Sequence, residues 1–354
     1  MVLWIALHDA VLRATLIRVP RFPDEWTSVR MPRTVSEWAD GGVTRKMLRG
    51  PRYEWVSRGY YRRAADRAET SISPTQRIVD TWTTMPAGAL ITGWAAAFVH
   101  GVDALDGLDD HTCRPRPITV LLPPGQRRDN TDAITYRQCR RPIHGQLVWD
   151  VPVTTRLWTA LDLARSAPEL SEAVVPLDAF LGCRVLDAAD LRRGITRWRP
   201  RRGIRQARAA VALARVGVRS SWETRLRVFA ASELGLTQLE PNRAVFDSAG
   251  NLLGVPDLLD EKAALALEYD GATWRSDRDK GHRNREQHRE DNAREERLER
   301  AGLIVVRVEK ADLTRYRGKL AARILAAHAD GLRRDRWRDR WTLDEPPDWF
   351  GLPA

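Results

Sequence analysis

Residues 252–270, "LLGVPDLLDEKAALALEYD", hold two apolar runs separated by "DEKA", with Asp257, Glu268 and Asp270 set into their ends. Short apolar runs bounded by proline, glycine and charge read as strands, and two so close together read as a hairpin. A turn of two or four residues centred on Glu261–Lys262 puts Leu259 opposite Ala264 and Asp257 opposite Ala266. Side chains alternate along a strand, so Ala266, Glu268 and Asp270 share one face, and Leu265, Leu267 and Tyr269 the other. In this register Asp257 lies on the face of Glu268, diagonal to it, at roughly 7 Å between α-carbons. A slip of one residue would send it to the opposite face.

Two carboxylates brought together beside a core repel each other and lose hydration, and a cation relieves both penalties. Oxygen ligands completed by waters and a substrate phosphate suit Mg²⁺ or Mn²⁺ rather than zinc. Asp257 and Glu268 are therefore the candidate metal ligands. The competing reading pairs the acids with local arginines such as Arg294. Pro256, lacking an N–H, predicts an edge position or bulge beside the site. The helix before the hairpin, "SSWETRLRVFAASELGL", offers Glu223. Its spacing from Ser220 is also that of a capping box, a purely structural role. A charged segment at 271–300 and the strand "LIVVRV" follow, so helix, hairpin, helix and strand fit an αβ sandwich with a mixed sheet. Lys280, His282, Arg285 and Arg294 in that segment are candidate phosphate contacts, weighed against a solvated helix with balanced signs.

The N-terminal third has a different grammar. In "TVSEWADGGVTRKMLRGPRYEWVSRGYYR", Thr34 caps a first short helix, Gly41–Gly42 break it, and Thr44 caps a second. "YEWVSRGYYR" then predicts two strands about a turn at Gly59. Helix, turn, helix and β-wing outline a winged-helix unit with Arg45, Lys46 and Arg49 on the exposed side of its second helix. These three are candidate DNA contacts; the bland alternative is a basic, solvated helical cap. In the middle, "ALITGWAAAFVHG" predicts an apolar helix ending near Gly101, with His100 in a core or helix-end role. "PITVLLPPG" predicts a strand and "TTRLWTALDLA" an amphipathic helix. Between 191 and 227 stand twelve arginines and one acid, Glu223. With Trp198 among them, the stretch suits a phosphate backbone or a solvated linker and helix face.

Charge matters here because the net formal charge is +11 with a pI near 10.2. That balance attracts polyanions, DNA first, although an arginine-rich genome composition gives the same sum. Three dispersed cysteines without CxxC spacing predict neither a disulfide framework nor a zinc site. The apolar start is broken by His8, Asp9 and Arg13 and lacks the features of a signal peptide. No run of about 18 apolar residues predicts a membrane span. A soluble cytoplasmic protein without a membrane partner is expected.

Ser220, Glu223, "PD" at 256–257, "EYDG" at 268–271, Asp291, Arg294, Gly302 and Arg307 together resemble the PD-(D/E)XK nuclease superfamily. Within it they resemble most the branch of the very-short-patch-repair endonucleases. "GGVTRKMLRGPRYEWVSRGYYR" and "VPVTTRLWTALDLA" resemble actinobacterial proteins that join an AbiEi-like antitoxin module to such a domain. The resemblance implies that Asp257 and Glu268 hold a catalytic Mg²⁺ or Mn²⁺, with Glu223 and Asp270 as supporting acids. It implies DNA as substrate and a cognate toxin as a possible partner. Two positions depart from the pattern: Asp270 stands where the broad superfamily has lysine, and Trp274 where relatives place histidine. Lys280 or His282 are the candidates to supply the missing catalytic function. The expected class is α/β (α+β). An N-terminal extension (1–31) precedes a winged-helix-like module (32–70) and an AbiEi-like mixed α/β domain (71–190). An arginine-rich linker (191–214), a nuclease-like domain (215–330) and a tail (331–354) follow. The runner-up function is a non-catalytic DNA-binding regulator, or antitoxin, with a degenerate nuclease fold.

Overall fold

The computed structural model describes residues 26, 28–65, 72–139, 143, 145–198, 200–271, 293–347 and 349. The chain is of the mixed α/β class and divides into two compact units, Met1–Leu163 and Ala164–Ala354. The division falls within the helix Arg156–Ser166 rather than near residue 190. Helices Leu170–Gly182 and Ala188–Arg197 accordingly belong to the second unit. Among the described residues, no helix is long and apolar enough to cross a membrane.

In the first unit, β1 (Arg33–Thr34) leads into the helix Val35–Asp40. Thr34 Oγ1 accepts from the Glu37 N–H at 3.2 Å, and Glu37 Oε2 accepts from the Thr34 N–H at 2.6 Å. This reciprocal cap satisfies two donors that the helix start leaves open. Gly41 closes the helix, and Thr44 caps the single turn Arg45–Leu48 through the Met47 N–H. β2 (Tyr53–Ser57) and β3 (Tyr60–Arg63) form the predicted hairpin around Gly59, whose φ of 82° suits glycine. β3 also pairs with β1, giving the order β1-β3-β2. Arg62 is buried in the hairpin, 2.6 Å from Glu54 and 3.1 Å from Asp80 of the helix Pro74–Thr84. Its charge is thereby compensated on two sides.

A five-stranded mixed sheet follows, with β4 (Leu90–Thr92), β5 (Ile118–Leu122), β6 (Ile134–Gln138), β7 (Gly145–Val148) and β8 (Val151–Thr154). Its order is β6-β5-β4-β8-β7. The run expected as one helix from Ala89 divides: Leu90–Thr92 is a strand, and the helix is only Trp94–Val99. Gly93, at φ 69°, makes the break. Tertiary pairing of Leu90–Thr92 with both β5 and β8 outweighs its local pattern. His100 is buried at the end of that helix, bonded at 2.8 Å to the Thr154 carbonyl, and burial lowers its pKa. That is a core role.

The second unit centres on β9 (Glu240–Pro241), β10 (Val245–Phe246), β11 (Leu252–Gly254), β12 (Leu258–Asp260), β13 (Leu265–Tyr269) and β14 (Ile304–Val308). The larger sheet runs β14-β13-β12-β9, with β13–β14 parallel and the other pairs antiparallel. One face carries Leu258, Leu265, Leu267, Val306 and Val308 into a core with Leu226, Phe229, Leu320 and Ile324. The opposite face carries Leu259 and Ala266 against Val245, Leu298 and Leu303. Helix Ser221–Glu233 and helix Arg317–Arg333 thus cover one side, and the helical residues 293–301 the other. The last helix reaches Arg333, past the expected end at 330. Residues beyond it dock on the same unit through the paired bonds of Phe246 with Thr342.

Candidate functional site

The β12–β13 register differs from the expected one by two residues. Leu258 pairs with Leu267, Leu259 with Ala266 and Asp260 with Leu265. The turn is Glu261–Ala264, closed by Ala264 at φ 46°. Asp257 immediately precedes β12, and Glu268 follows Leu267 on β13. An even shift preserves side-chain parity along the paired residues, so Leu259 and Ala266 still share a face.

Asp257 is tied to the neighbouring strand by its Oδ2, which accepts from the Tyr269 N–H at 2.7 Å. Burial is the main reason its pKa rises, to about 6, and the negative charge of Glu223 adds to the rise. The Tyr269 N–H and the charges of Arg294 and Arg219 act in the opposite direction. Glu223, in the first turn of its helix, is buried. Its backbone N–H donates to Ser220 Oγ at 3.1 Å, as the capping spacing predicts. Its carboxylate goes elsewhere: Oε2 accepts from the Arg219 N–H at 3.0 Å and from Asn242 Nδ2 at 2.8 Å. The N–H of Glu223 thus serves the cap while its carboxylate bonds Arg219 and Asn242.

Glu268 is mostly buried and lies 3.1 Å from Arg294 NH2. The stem of Arg294 lies over Gly254, where a side chain would meet its Cγ. Asp270 stands apart from this group: it is half exposed, 3.9 Å from Arg307, which also pairs with Glu295. Lys280, His282, Trp274 and Asp291 lie outside the described residues. Arg45, Lys46 and Arg49 are exposed on the first unit, as expected of its second helix.

Two contributors had no clear signal in the sequence. Asn242, at φ 51°, donates from Nδ2 to both Glu223 and the Gly217 carbonyl, and its N–H donates to the Asp257 carbonyl at 3.0 Å. Asparagine tolerates the left-handed region better than most residues. In the sequence, "EPN" reads only as a turn. Trp222 stacks parallel on Tyr269 at 5.5 Å, and Arg225 covers its ring at 4.5 Å. Arg225 is in turn held by Glu172, 2.5 Å away on another helix. This stack backs the strand end that carries Glu268.

Glu223 lies close enough to Asp257 for its charge to act there, and Glu268, near the same end of the hairpin, carries the Arg294 guanidinium. Among the described residues, no group of three or more acidic, histidine or cysteine side chains is close enough to hold a metal by itself. The Asp257/Glu268 pair still fits a hard divalent ion of the kind that keeps waters and substrate oxygens as its other ligands. The raised pKa of Asp257 comes first from burial and then from the neighbouring charge of Glu223.

No family model matches the chain. Two uncharacterised proteins of Mycobacterium tuberculosis, MT2308 (strain CDC 1551 / Oshkosh) and Rv2248 (strain ATCC 25618 / H37Rv), are each 28% identical over 213 residues. The match spans 60% of this chain and 74% of each relative. Among solved structures, the RV2827C protein from Mycobacterium tuberculosis shares 14% identity, over 51% of this chain and 71% of its own, with a TM-score of 0.35. A likeness that low carries no argument.

Proposed function

We propose that the second unit is a metal-dependent endonuclease that hydrolyses phosphodiester bonds in DNA, linked to a DNA-binding module in the first unit. One observation carries this reading: Asp257, its pKa raised to about 6 by burial and then by the charge of Glu223, immediately precedes the hairpin strand that pairs with the strand of Glu268. Packing alone asks for no such gathering of acids, and carboxylates perturbed in this way more often mark function than structure. Asp257 and Glu268 are the ligands for Mg²⁺ or Mn²⁺. When bound, such an ion supplies the charge that lowers the pKa of an attacking water and stabilises the leaving oxygen.

The chain's own residues prepare the site. Glu223 adds the negative charge that favours a cation at Asp257, and Asn242 fixes Glu223 against the Asp257 strand. Arg294, 3.1 Å from Glu268, takes the place of the absent lysine in balancing phosphate charge. The arginine-rich surface, with Arg45, Lys46 and Arg49, draws DNA through its backbone.

A plasmid-nicking assay tests the reading. Wild type should nick supercoiled DNA in Mg²⁺ or Mn²⁺, and Asp257→Ala and Glu268→Ala should each abolish nicking. No nicking by wild type in either metal, with DNA binding intact, would refute catalysis. A second reading has its own support: Arg294 already neutralises Glu268 at 3.1 Å, and the described residues gather no three-ligand metal cluster. On that reading the protein is a DNA-binding antitoxin-type regulator with a nuclease-derived platform for DNA or a toxin. Intact DNA binding without nicking is its expected result.

A further inference from the structure

Trp337 is 97% exposed, the most exposed large apolar side chain among the described residues. It sits in a short 3-10 turn, Arg336–Arg338, just after the last helix of the second unit. The pedestal beneath it is well tied. Asp335 accepts from the Trp337 N–H at 3.2 Å. Arg334 holds Asp339 at 2.9 Å and donates to the carbonyls of Lys262 and Gly331 at 2.6 and 2.9 Å. Arg336 reaches the same Lys262 carbonyl at 3.2 Å, and the Arg340 N–H donates to Ala301. A fixed turn therefore holds a bare indole in solvent.

Its neighbourhood decides what could cover it. Arg333, Arg336, Arg338, Arg340 and Lys262 are exposed in this region; Arg333 pairs with Asp330 and Arg338 lies 3.5 Å from Asp335, yet cations outnumber these acids and Arg338 keeps 87% of its side-chain exposure. Tryptophan and arginine are also enriched where proteins meet, so a protein is the competing occupant and loss of single-strand selectivity is what would reveal it. A symmetric contact with a second copy would bring like charges together. A polyanion that also carries flat aromatic faces satisfies both features, through base stacking on the indole and phosphate contacts to the arginines.

We infer that Trp337 and its arginine collar form a stacking platform for unpaired bases of single-stranded nucleic acid. The inference deepens the DNA reading of the second unit but does not require cleavage. The pedestal is anchored on the Glu261–Ala264 turn, whereas Asp257 and Glu268 lie at the open end of the same hairpin. The platform thus acts on binding, away from the carboxylates.

The test is fluorescence anisotropy with the full chain in EDTA, using a short labelled single strand and the matching blunt duplex. Trp337→Ala should weaken single-strand binding about 5- to 150-fold. Trp337→Phe should restore most of it, and duplex binding should change less than about twofold. Thermal unfolding of both variants should match wild type, since the side chain packs against little. Equal affinity of wild type and Trp337→Ala for the single strand would overturn the inference, as would an equal loss on duplex. So would a change in oligomeric state, or a loss confined to phosphatidylserine vesicles, either of which would assign Trp337 to another partner. Asp257→Ala separates the two proposals: it should bind the single strand as wild type does while failing to nick. If wild type never nicks but Trp337→Ala still loses the single strand, catalysis falls and the platform stands.

Discussion

At Asp257 the physics of one residue sets a measurable pH dependence. Its pKa of about 6 exceeds the ordinary carboxylate value because burial and Glu223 disfavour its charge. The folded protein therefore holds the Asp257 proton more tightly than the unfolded chain. The resulting stability is fully present below about pH 4 and is lost as pH rises through about 6. Asp257→Asn, which can still accept from the Tyr269 N–H, should make the metal-free protein more stable at pH 7 by about 1–3 kcal/mol. It should also flatten the pH dependence, as denaturant midpoints in EDTA at pH 5 and 7 will show. On the proposed nuclease reading, the same proton competes with a bound cation. Nicking should fall as pH drops below about 6, and raising Mg²⁺ should move that limb to lower pH. The alternation of "PDLL" and "ALALEYD" was enough to separate Leu265 and Leu267 from Leu259 and Ala266 onto opposite faces. It could not supply Asn242, because a left-handed asparagine bonding across strands has no local signature.

Elements are held by interactions that no single segment announces. Helix Arg317–Arg333 crosses the hairpin turn at Gly331, where any Cβ would run into the Ala263 carbonyl. Glycine to alanine inside a helix ordinarily gains up to about 1 kcal/mol. Here the clash is with backbone and cannot rotate away, so Gly331→Ala should destabilise by about 1–3 kcal/mol, read as a lower Tm. Between helices Leu170–Gly182 and Ser221–Glu233, Arg227 meets Asp178 at 2.6 Å with both side chains nearly inaccessible. Asp178 also accepts from Thr224 Oγ1 and the Arg215 N–H, each at 2.8 Å. Arg227→Met would leave that carboxylate without its buried cation and should cost about 3–5 kcal/mol in chemical denaturation. From sequence, Arg225 and Arg227 belong to an arginine-rich stretch suited to DNA or solvent. Folding turns them inward, because Glu172 and Asp178 wait on a helix about 50 residues upstream.

Across the whole chain, an excess of eleven positive charges makes the proposed nucleic-acid binding salt-dependent. Replacing Arg45, Lys46 and Arg49 with alanine should weaken duplex binding uniformly across sequences. For every phosphate-bound cation so removed, the slope of log affinity against log salt should fall by about 1. A slope unchanged in the triple variant would remove the first unit's second helix from the interface. The sequence by itself determined what is periodic and local. The capped helices at Thr34 and Thr44, the hairpin about Gly59, and the strand alternation near Asp257 all follow from side-chain parity and backbone preference. Only the tertiary structure decided the two-residue register, the strand at Leu90–Thr92, and the unit boundary at Leu163. It alone also set the partners of Glu223 and Glu268 and the exposure of Trp337. Those depend on which distant surfaces meet, and burial, pairing and charge compensation between residues far apart in the chain exist only once the core has formed.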